Sequence, residues 1–384
     1  MVYGSIFKDG MNMTNSWSKL ETILDKASQR ETFSKDEITF LLELSNKDQI
    51  DALFKTARSL RRDQFGDEVF LYGFLYISTY CRNDCSFCFY RRSNTESPRY
   101  RKDESEIVEN AIKMTASGVH LIDLTMGEDP EYFIPDDGGF EKLVKLVESV
   151  NKATGLPIMV SPGVVPDSVL KKLAEVGATW YACYQETHKR ELFSQLRLGQ
   201  SYDTRLNKKL LAHQFGLLIE EGLLCGVGES HDDVAESILA MRSIDADQVR
   251  VMKFVPQKGT PMEKWALTNS QRESLIIAVM RLVFPDRLIP VSLDVSGLAG
   301  LRQGLDAGAN VVTSLVPPGQ GLAGVAQSFL DIEDARRTSS SVLKILETCS
   351  LSAGSIDNYI SWINGRQRAI ASNSCEEKIV CSLP

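Results

Sequence analysis

VFLYGFLYIST (Val69–Thr79) is an apolar run rich in aromatic and β-branched residues, and it opens directly into YCRNDCSFCFY (Tyr80–Tyr90). The run reads as a buried β-strand. Three cysteines, Cys81, Cys85 and Cys88, fall within eight residues at its end. Thiolates at this spacing can hold three corners of a [4Fe–4S] cube and leave the fourth iron open to a reactant. Structural zinc is the competing occupant, and it asks for four ligands. No second Cys-x-x-Cys or His pair follows, and His120, His188, His213 and His231 are not placed as an obvious fourth ligand. A disulfide framework fits less well, because Cys183, Cys225, Cys349, Cys375 and Cys381 show no regular spacing.

Working outward, the strand pattern recurs. Further β-runs are read at His120–Thr125, Pro157–Ser161, Thr179–Tyr184, Leu223–Val227, Gln248–Phe254, Leu288–Asp294 and Asn310–Leu315. Helical patterns fill the gaps at Glu104–Ser117, Phe140–Ala153, Asp167–Val176, Arg205–Glu221, Asp233–Ile244, Ser270–Val283 and Gly297–Ala307. Eight β-runs alternating with helices predict a parallel (βα)8 TIM barrel, although a doubly wound sheet has the same alternation. The polar residues favour the barrel, because they sit where a barrel keeps its active site, at the C-terminal ends of strands. Asp123 and Gly127-Glu128-Asp129-Pro130 close the second unit, Ser161 the third and Gln185-Glu186-Thr187 the fourth. Arg250 lies inside the sixth run, Ser292 and Asp294 end the seventh, and Thr313 and Ser314 end the eighth. Residues 16–63 read as an amphipathic helical cover, with Ser34 and Glu37 spaced as a capping box. The expected division is an N-terminal helical extension over 1–65, the barrel over 66–340, and a C-terminal helix with a flexible tail over 341–384, frayed from Ala371 onward.

Composition sets outer limits. The 384 residues are 43% hydrophobic and 24% charged with a net charge of −8, an ordinary globular balance with no basic block for nucleic acid. Met1–Trp17 is polar and does not read as a signal peptide. The longest apolar run, Leu275–Val279, is soon stopped by Arg281, so no membrane span is expected and the default location is the cytoplasm.

The Cx3CxΦC spacing, with aromatic Phe87 before the last cysteine, resembles the signature of the radical S-adenosylmethionine (SAM) superfamily. In that superfamily SAM chelates the open iron of the [4Fe–4S] cluster, and an electron from a donor such as ferredoxin or flavodoxin cleaves it to a 5′-deoxyadenosyl radical. Gly127-Glu128 resembles the "GGE" element that takes the SAM amine, with Met126 in place of its first glycine. Gly222-x-Leu224-x-Gly226-x-x-Glu229 resembles the element that lets adenine lie against backbone. Glu186 and Arg205 resemble the ribose-side acid and the carboxylate-binding arginine of the biotin synthase branch, and Arg197 is a second candidate for the latter. Phe87 and Ser161 join these as expected cofactor contacts.

On the substrate side, Asp123, Arg250 and Asp294 place two acids and one guanidinium at one mouth. An arginine fork grips a carboxylate and two aspartates suit two ammonium groups, which together fit a small diamino acid. The bland alternative is an internal ion pair that only stabilises the barrel. The resemblance goes further in DLTMGEDP (Asp123–Pro130), YQET (Tyr184–Thr187), LRLGQS (Leu196–Ser201), VRVM (Val249–Met252), RLIPVSLD (Arg287–Asp294) and AGANVVTS (Ala307–Ser314). These stretches are similar to the methylornithine synthase family, relatives of biotin synthase that act first in pyrrolysine biosynthesis. That resemblance implies a radical SAM isomerase converting L-lysine to (3R)-3-methyl-D-ornithine, with Asp123, Arg250, Ser292, Asp294, Thr313 and Ser314 as substrate contacts. The rival within the superfamily is a biotin synthase- or hydrogenase maturase-like enzyme; in the former a second cluster needs cysteines on inner strands, for which Cys183 and Cys225 fall short. The distant rival is a zinc-stabilised binding protein. The stretch after about 350, with Cys375 and Cys381, matches no motif.

Overall fold

Side chains along the first strand alternate, and that alternation sets the architecture. In β1 (Glu68–Ser78), Phe70, Tyr72, Phe74 and Tyr76 face one side, while Val69, Leu71, Leu75 and Ile77 face a different apolar layer. In the computed structural model, which describes residues 3–134, 138–317 and 337–380 (backbone alone for 3–14 and 373–380), the first set fills the interior of a barrel and the second packs under helices. The other strands are β2 (Leu121–Met126), β3 (Ile158–Ser161), β4 (Ala178–Ala182), β5 (Leu218–Cys225), β6 (Gln248–Lys253), β7 (Pro290–Ser292) and β8 (Val311–Leu315). All neighbours are parallel, in the order β6-β5-β4-β3-β2-β1-β8-β7. The ring closes between β6 and β7 through two backbone bonds, Val249 N–H to Leu288 at 3.0 Å and Leu288 N–H to Asp247 at 3.2 Å. The expected (βα)8 barrel is therefore the fold.

Helices α1 (Tyr3–Ser28), α2 (Lys35–Leu42) and α3 (Lys47–Phe65) precede the barrel. The Ser34–Glu37 capping box is formed at the start of α2. Leu20, Ile23, Leu41, Leu53 and Ala57 bury themselves in the same helix-side core as the barrel, so the cover is packed onto it. Helices α4 (Glu104–Ala116), α5 (Gly139–Thr154), α6 (Asp167–Glu175), α7 (Arg190–Leu196), α8 (Tyr202–Gln214), α9 (His231–Ser243), α10 (Ser270–Val283) and α11 (Leu293–Asp306) connect the strands.

One expectation is corrected. The helical reading Arg205–Glu221 overran: α8 ends at Gln214, the chain turns at Gly216 with φ +81°, and β5 begins at Leu218. The cause of the misreading is that Glu220 and Glu221, charged and adjacent, look like a solvated helix end. Both are fully buried strand residues, on opposite faces of β5. After α12 (Ser339–Thr348) and the two-residue β9 (Ser352–Ala353), helix α13 spans Ile356–Val380. This helix closes the floor of the barrel. Tyr359, Ile363 and Ile370 pack with Phe70, Trp180, Leu218, Leu288 and Val311, and Trp362 stacks on Trp180 at 5.9 Å. Arg366 ties it down, donating to Asp247 at 2.8 Å and Asp245 at 2.9 Å. Cys375 and Cys381 lie outside the residues whose side chains are described.

Candidate active site

The loop after β1 is held by its own polar side chains. Asp84 accepts from Ser93 N–H at 3.0 Å, Ser93 hydroxyl at 2.7 Å, Arg91 at 3.0 Å and Arg92 at 3.2 Å. Burial alone would raise its carboxyl, but these donors hold it well below the usual carboxylate range. Arg99 staples the loop by donating to the carbonyls of Thr79, Tyr90, Arg91 and Asn94. Asp129, fully buried, accepts Ser78 and a two-pronged contact from Arg101 at 2.6 and 2.9 Å. The frame carries Cys81, Cys85 and Cys88 to one end of the cavity at the top of the barrel.

The three sulfurs suit an iron–sulfur cluster. Burial raises the thiols of Cys81 and Cys88, and each thiolate near the others raises them further. Such crowding favours deprotonation only when a cationic centre shares the charge. Among the described residues no three His, Cys, Asp or Glu are gathered as the ligands of a single ion. Gln200 Nε2 donates to Cys85 Sγ at 3.0 Å, and Arg197 Nη1 lies 3.8 Å from the same sulfur.

The flank expected to meet SAM is densely paired. Glu186 holds a left-handed backbone, φ +67°, which a non-glycine residue adopts at a cost of about 1–3 kcal/mol. Its place is fixed by strand-like bonds to Gly222 at 3.1 Å and from Leu224 at 2.9 Å. Its carboxylate pairs with Arg197 at 2.5 Å; burial pushes the carboxyl up and Arg197 opposes this. Glu128 accepts Arg82 at 2.8 Å and the Val164 N–H at 3.0 Å, with Arg205 at 3.8 Å. A Cβ on Gly127 would stand 2.3 Å from the Tyr80 carbonyl, so only glycine lets the second strand's loop meet the cysteine loop. Phe87, Gly127, Glu128, Ser161, Glu186, Arg197 and Arg205 all line the cavity. Gly226 is not among the lining residues; with φ +91° it makes room for Thr268, whose Oγ1 a Cβ would meet at 1.8 Å.

On the opposite flank the charges sort into pairs. Arg250, inside β6, is paired with Glu220 on β5 at 2.7 Å, and its Nη2 is buried without a partner. Asp294, in the first turn of α11, accepts Arg337 at 2.7 Å and the Ser314 hydroxyl at 2.8 Å. Asp123, on β2, is 5% exposed and accepts Thr125 at 2.8 Å and Ser161 at 3.5 Å. No Lys or Arg among the described residues lies within ion-pairing distance of it. Burial, and then the nearby Glu220 charge, push its carboxyl up to about 7.

The structure thus brings Asp123, Arg250 and Asp294 to one cavity with the three cysteines. Ser292, Thr313 and Ser314 stand behind that wall: Ser314 and Ser292 hydroxyls lie 3.2 Å apart beside Asp294, and Thr313 Oγ1 is buried without a partner. Glu220, Arg337 and Gln200 escaped sequence reading. Glu220 carried a usable signal, an acid in the apolar run LIEEGLLC (Leu218–Cys225); Gln200 lies in the family-like stretch LRLGQS (Leu196–Ser201) without being singled out, and Arg337 carried none.

A closed parallel barrel with this cysteine triad at its mouth defines a class. The family model for the radical SAM superfamily matches residues 75–241, and the chain is a radical SAM barrel protein. Within that class, a 3-methylornithine synthase of Methanosarcina acetivorans is 45% identical over 82% of this chain and 88% of its own. The crystal structure of a methylornithine synthase (PylB) superposes with a TM-score of 0.84 at 41% identity, covering 88% of this chain and 99% of that one. The [FeFe] hydrogenase maturase subunit HydE of Thermotoga maritima is 31% identical over 76% of this chain and 82% of its own. The chain belongs to the methylornithine synthase family.

Proposed function

We propose that this radical SAM enzyme acts in pyrrolysine biosynthesis and isomerises L-lysine to (3R)-3-methyl-D-ornithine. The observation that carries the reading is the pairing of charges on this flank of the cavity. Glu220 is paired with Arg250 and Asp294 with Arg337, which leaves Asp123, its carboxyl pushed up to about 7, as the acid of this flank without a basic partner among the described residues. An ammonium group of lysine would supply that partner. Arg250 offers its unpartnered Nη2 to the carboxylate. Asp123, with no basic partner among the described residues, takes an ammonium group. Asp294, already neutralised by Arg337, orients through hydrogen bonding more than through net charge.

Cys81, Cys85 and Cys88 would hold the [4Fe–4S] cluster, and Gly127, Glu128, Glu186, Arg197 and Arg205 would hold SAM. When bound, cluster and SAM supply one electron, delivered by a donor of the ferredoxin or flavodoxin type, and the radical that removes a substrate hydrogen. The chain's own part is confinement. Breaking the Cα–Cβ bond of lysine makes two pieces that must rejoin at the neighbouring carbon. Arg250 grips the piece carrying the carboxylate while the acids hold the other, so neither diffuses away. Tyr76, Phe74 and Tyr184 give the walls an apolar, water-poor surface.

Anaerobic incubation of reconstituted protein with SAM, dithionite and side-chain-deuterated lysine tests this, with products read by mass spectrometry. An amino-acid product of unchanged composition, with deuterium in 5′-deoxyadenosine or recovered SAM, is expected. A product with added sulfur, or one lighter by two mass units, overturns the isomerase reading.

A further inference from the structure

Glu220 sits at the centre of a buried hydrogen-bond chain that runs along the barrel axis. At its upper end Glu220 Oε1 faces Arg250 Nε at 2.7 Å, the N–H lying out of line, so the contact is one of charge. Tyr184 donates to Glu220 Oε2 at 2.5 Å, and its ring lies 5.7 Å from the Arg250 guanidinium. Below, Gln248 Nε2 donates to Glu220 Oε1 at 2.7 Å. Tyr72 donates to Gln248 Oε1 at 3.0 Å, and Tyr359 of α13 donates to Tyr72 at 2.7 Å. Tyr72, Gln248, Glu220 and Tyr359 are each at most 1% exposed.

The donors share one sense: each gives its hydrogen toward Glu220. That order fixes the Gln248 amide. Flipped, its oxygen would face the Glu220 carboxylate and its NH2 would face the Tyr72 O–H. A carboxylate receiving Tyr184 and Gln248 cannot swing freely, and Arg250 is aimed by it. Burying such a network is costly unless every member is satisfied, and here the polar links continue from floor to mouth.

We propose that Glu220 is the positioning residue for Arg250, and that Tyr359–Tyr72–Gln248 makes the C-terminal helix part of the substrate-binding framework. The proposal rests on the reading of Arg250 as the carboxylate grip. It assigns a role to a segment that carries no recognisable motif.

The test is anaerobic equilibrium binding of lysine and of SAM to reconstituted holoenzyme, with the ratio of methylornithine to 5′-deoxyadenosine formed. Glu220→Gln is expected to weaken lysine binding about tenfold, the scale of one charge-assisted contact, and to lower that ratio. Tyr359→Phe is expected to weaken it about threefold through the loosened amide. SAM affinity and iron content stay at the parent level in both. Trp362→Phe, on the same helix but outside the chain, lowers thermal stability and leaves lysine affinity alone. Unchanged lysine affinity in Tyr359→Phe, or equal losses in Tyr359→Phe and Trp362→Phe, overturns the proposal. Should Glu220→Gln fail to fold, Tyr184→Phe tests the upper end in the same assay. Arg250→Lys separates the two readings, because unchanged lysine binding there removes the grip itself rather than its positioning.

Discussion

Arg337 donates to Asp294 at 2.7 Å although 43 residues separate them in the chain, and both are largely buried. The pair gives an acid at the cavity wall its own counterion. It also ties the chain after β8 back to the first turn of α11, with Val316 N–H bonded to the Arg337 carbonyl at 2.9 Å.

Removing one member of a buried pair strands the other. Arg337→Gln should therefore cost about 3–5 kcal/mol, read from denaturant unfolding of the intact chain. A loss below about 1 kcal/mol would mean that water already compensates Asp294.

Asp123 is expected to make lysine binding sensitive to pH. Its folded carboxyl lies at about 7 against an ordinary 3.8, so the fold keeps a proton that the unfolded chain has lost between those values. Stability from this group is therefore full below about pH 4 and falls as pH rises toward 7, by on the order of 4 kcal/mol. An ammonium group favours the ionised form, so lysine should release a proton below about pH 7 and bind more tightly as pH rises through it. Calorimetry in buffers of different ionisation enthalpy reads that proton, and Asp123→Asn should abolish it.

The sulfur of Cys85 accepts a donor from Gln200 at 3.0 Å. Hydrogen bonds to a thiolate favour the reduced, more negative cluster. Gln200→Leu should leave four irons per chain and shift the midpoint potential downward in an EPR titration. An unchanged potential would remove Gln200 from the cluster's surroundings.

Cys85→Ala should remove the brown absorbance and all SAM cleavage, since each cysteine is expected to hold one iron. Gly127→Ala should also depress cluster content while leaving all three cysteines in the chain, because its Cβ would press the Tyr80 carbonyl from 2.3 Å and the Cys81 Cβ from 2.9 Å and displace the loop. Full cluster in the glycine variant would show that the loop yields.

The sequence by itself determined what is local. Cys81, Cys85 and Cys88 share one loop, so their spacing alone announces their chemistry, and the β-run before them names a strand. Asp123 and Arg250 were legible because a charge in an apolar strand stands out. What only the tertiary structure decided is which charges answer which. Glu220 read as a helix end until β5 placed it across from Gln248 and beside Arg250. Arg337 and Tyr359 reach the site from segments with no motif, through contacts that exist only once the barrel has closed. Periodicity reports which way a side chain faces along its own element. The partner of a buried charge is set by register and closure across elements, and no local pattern encodes that.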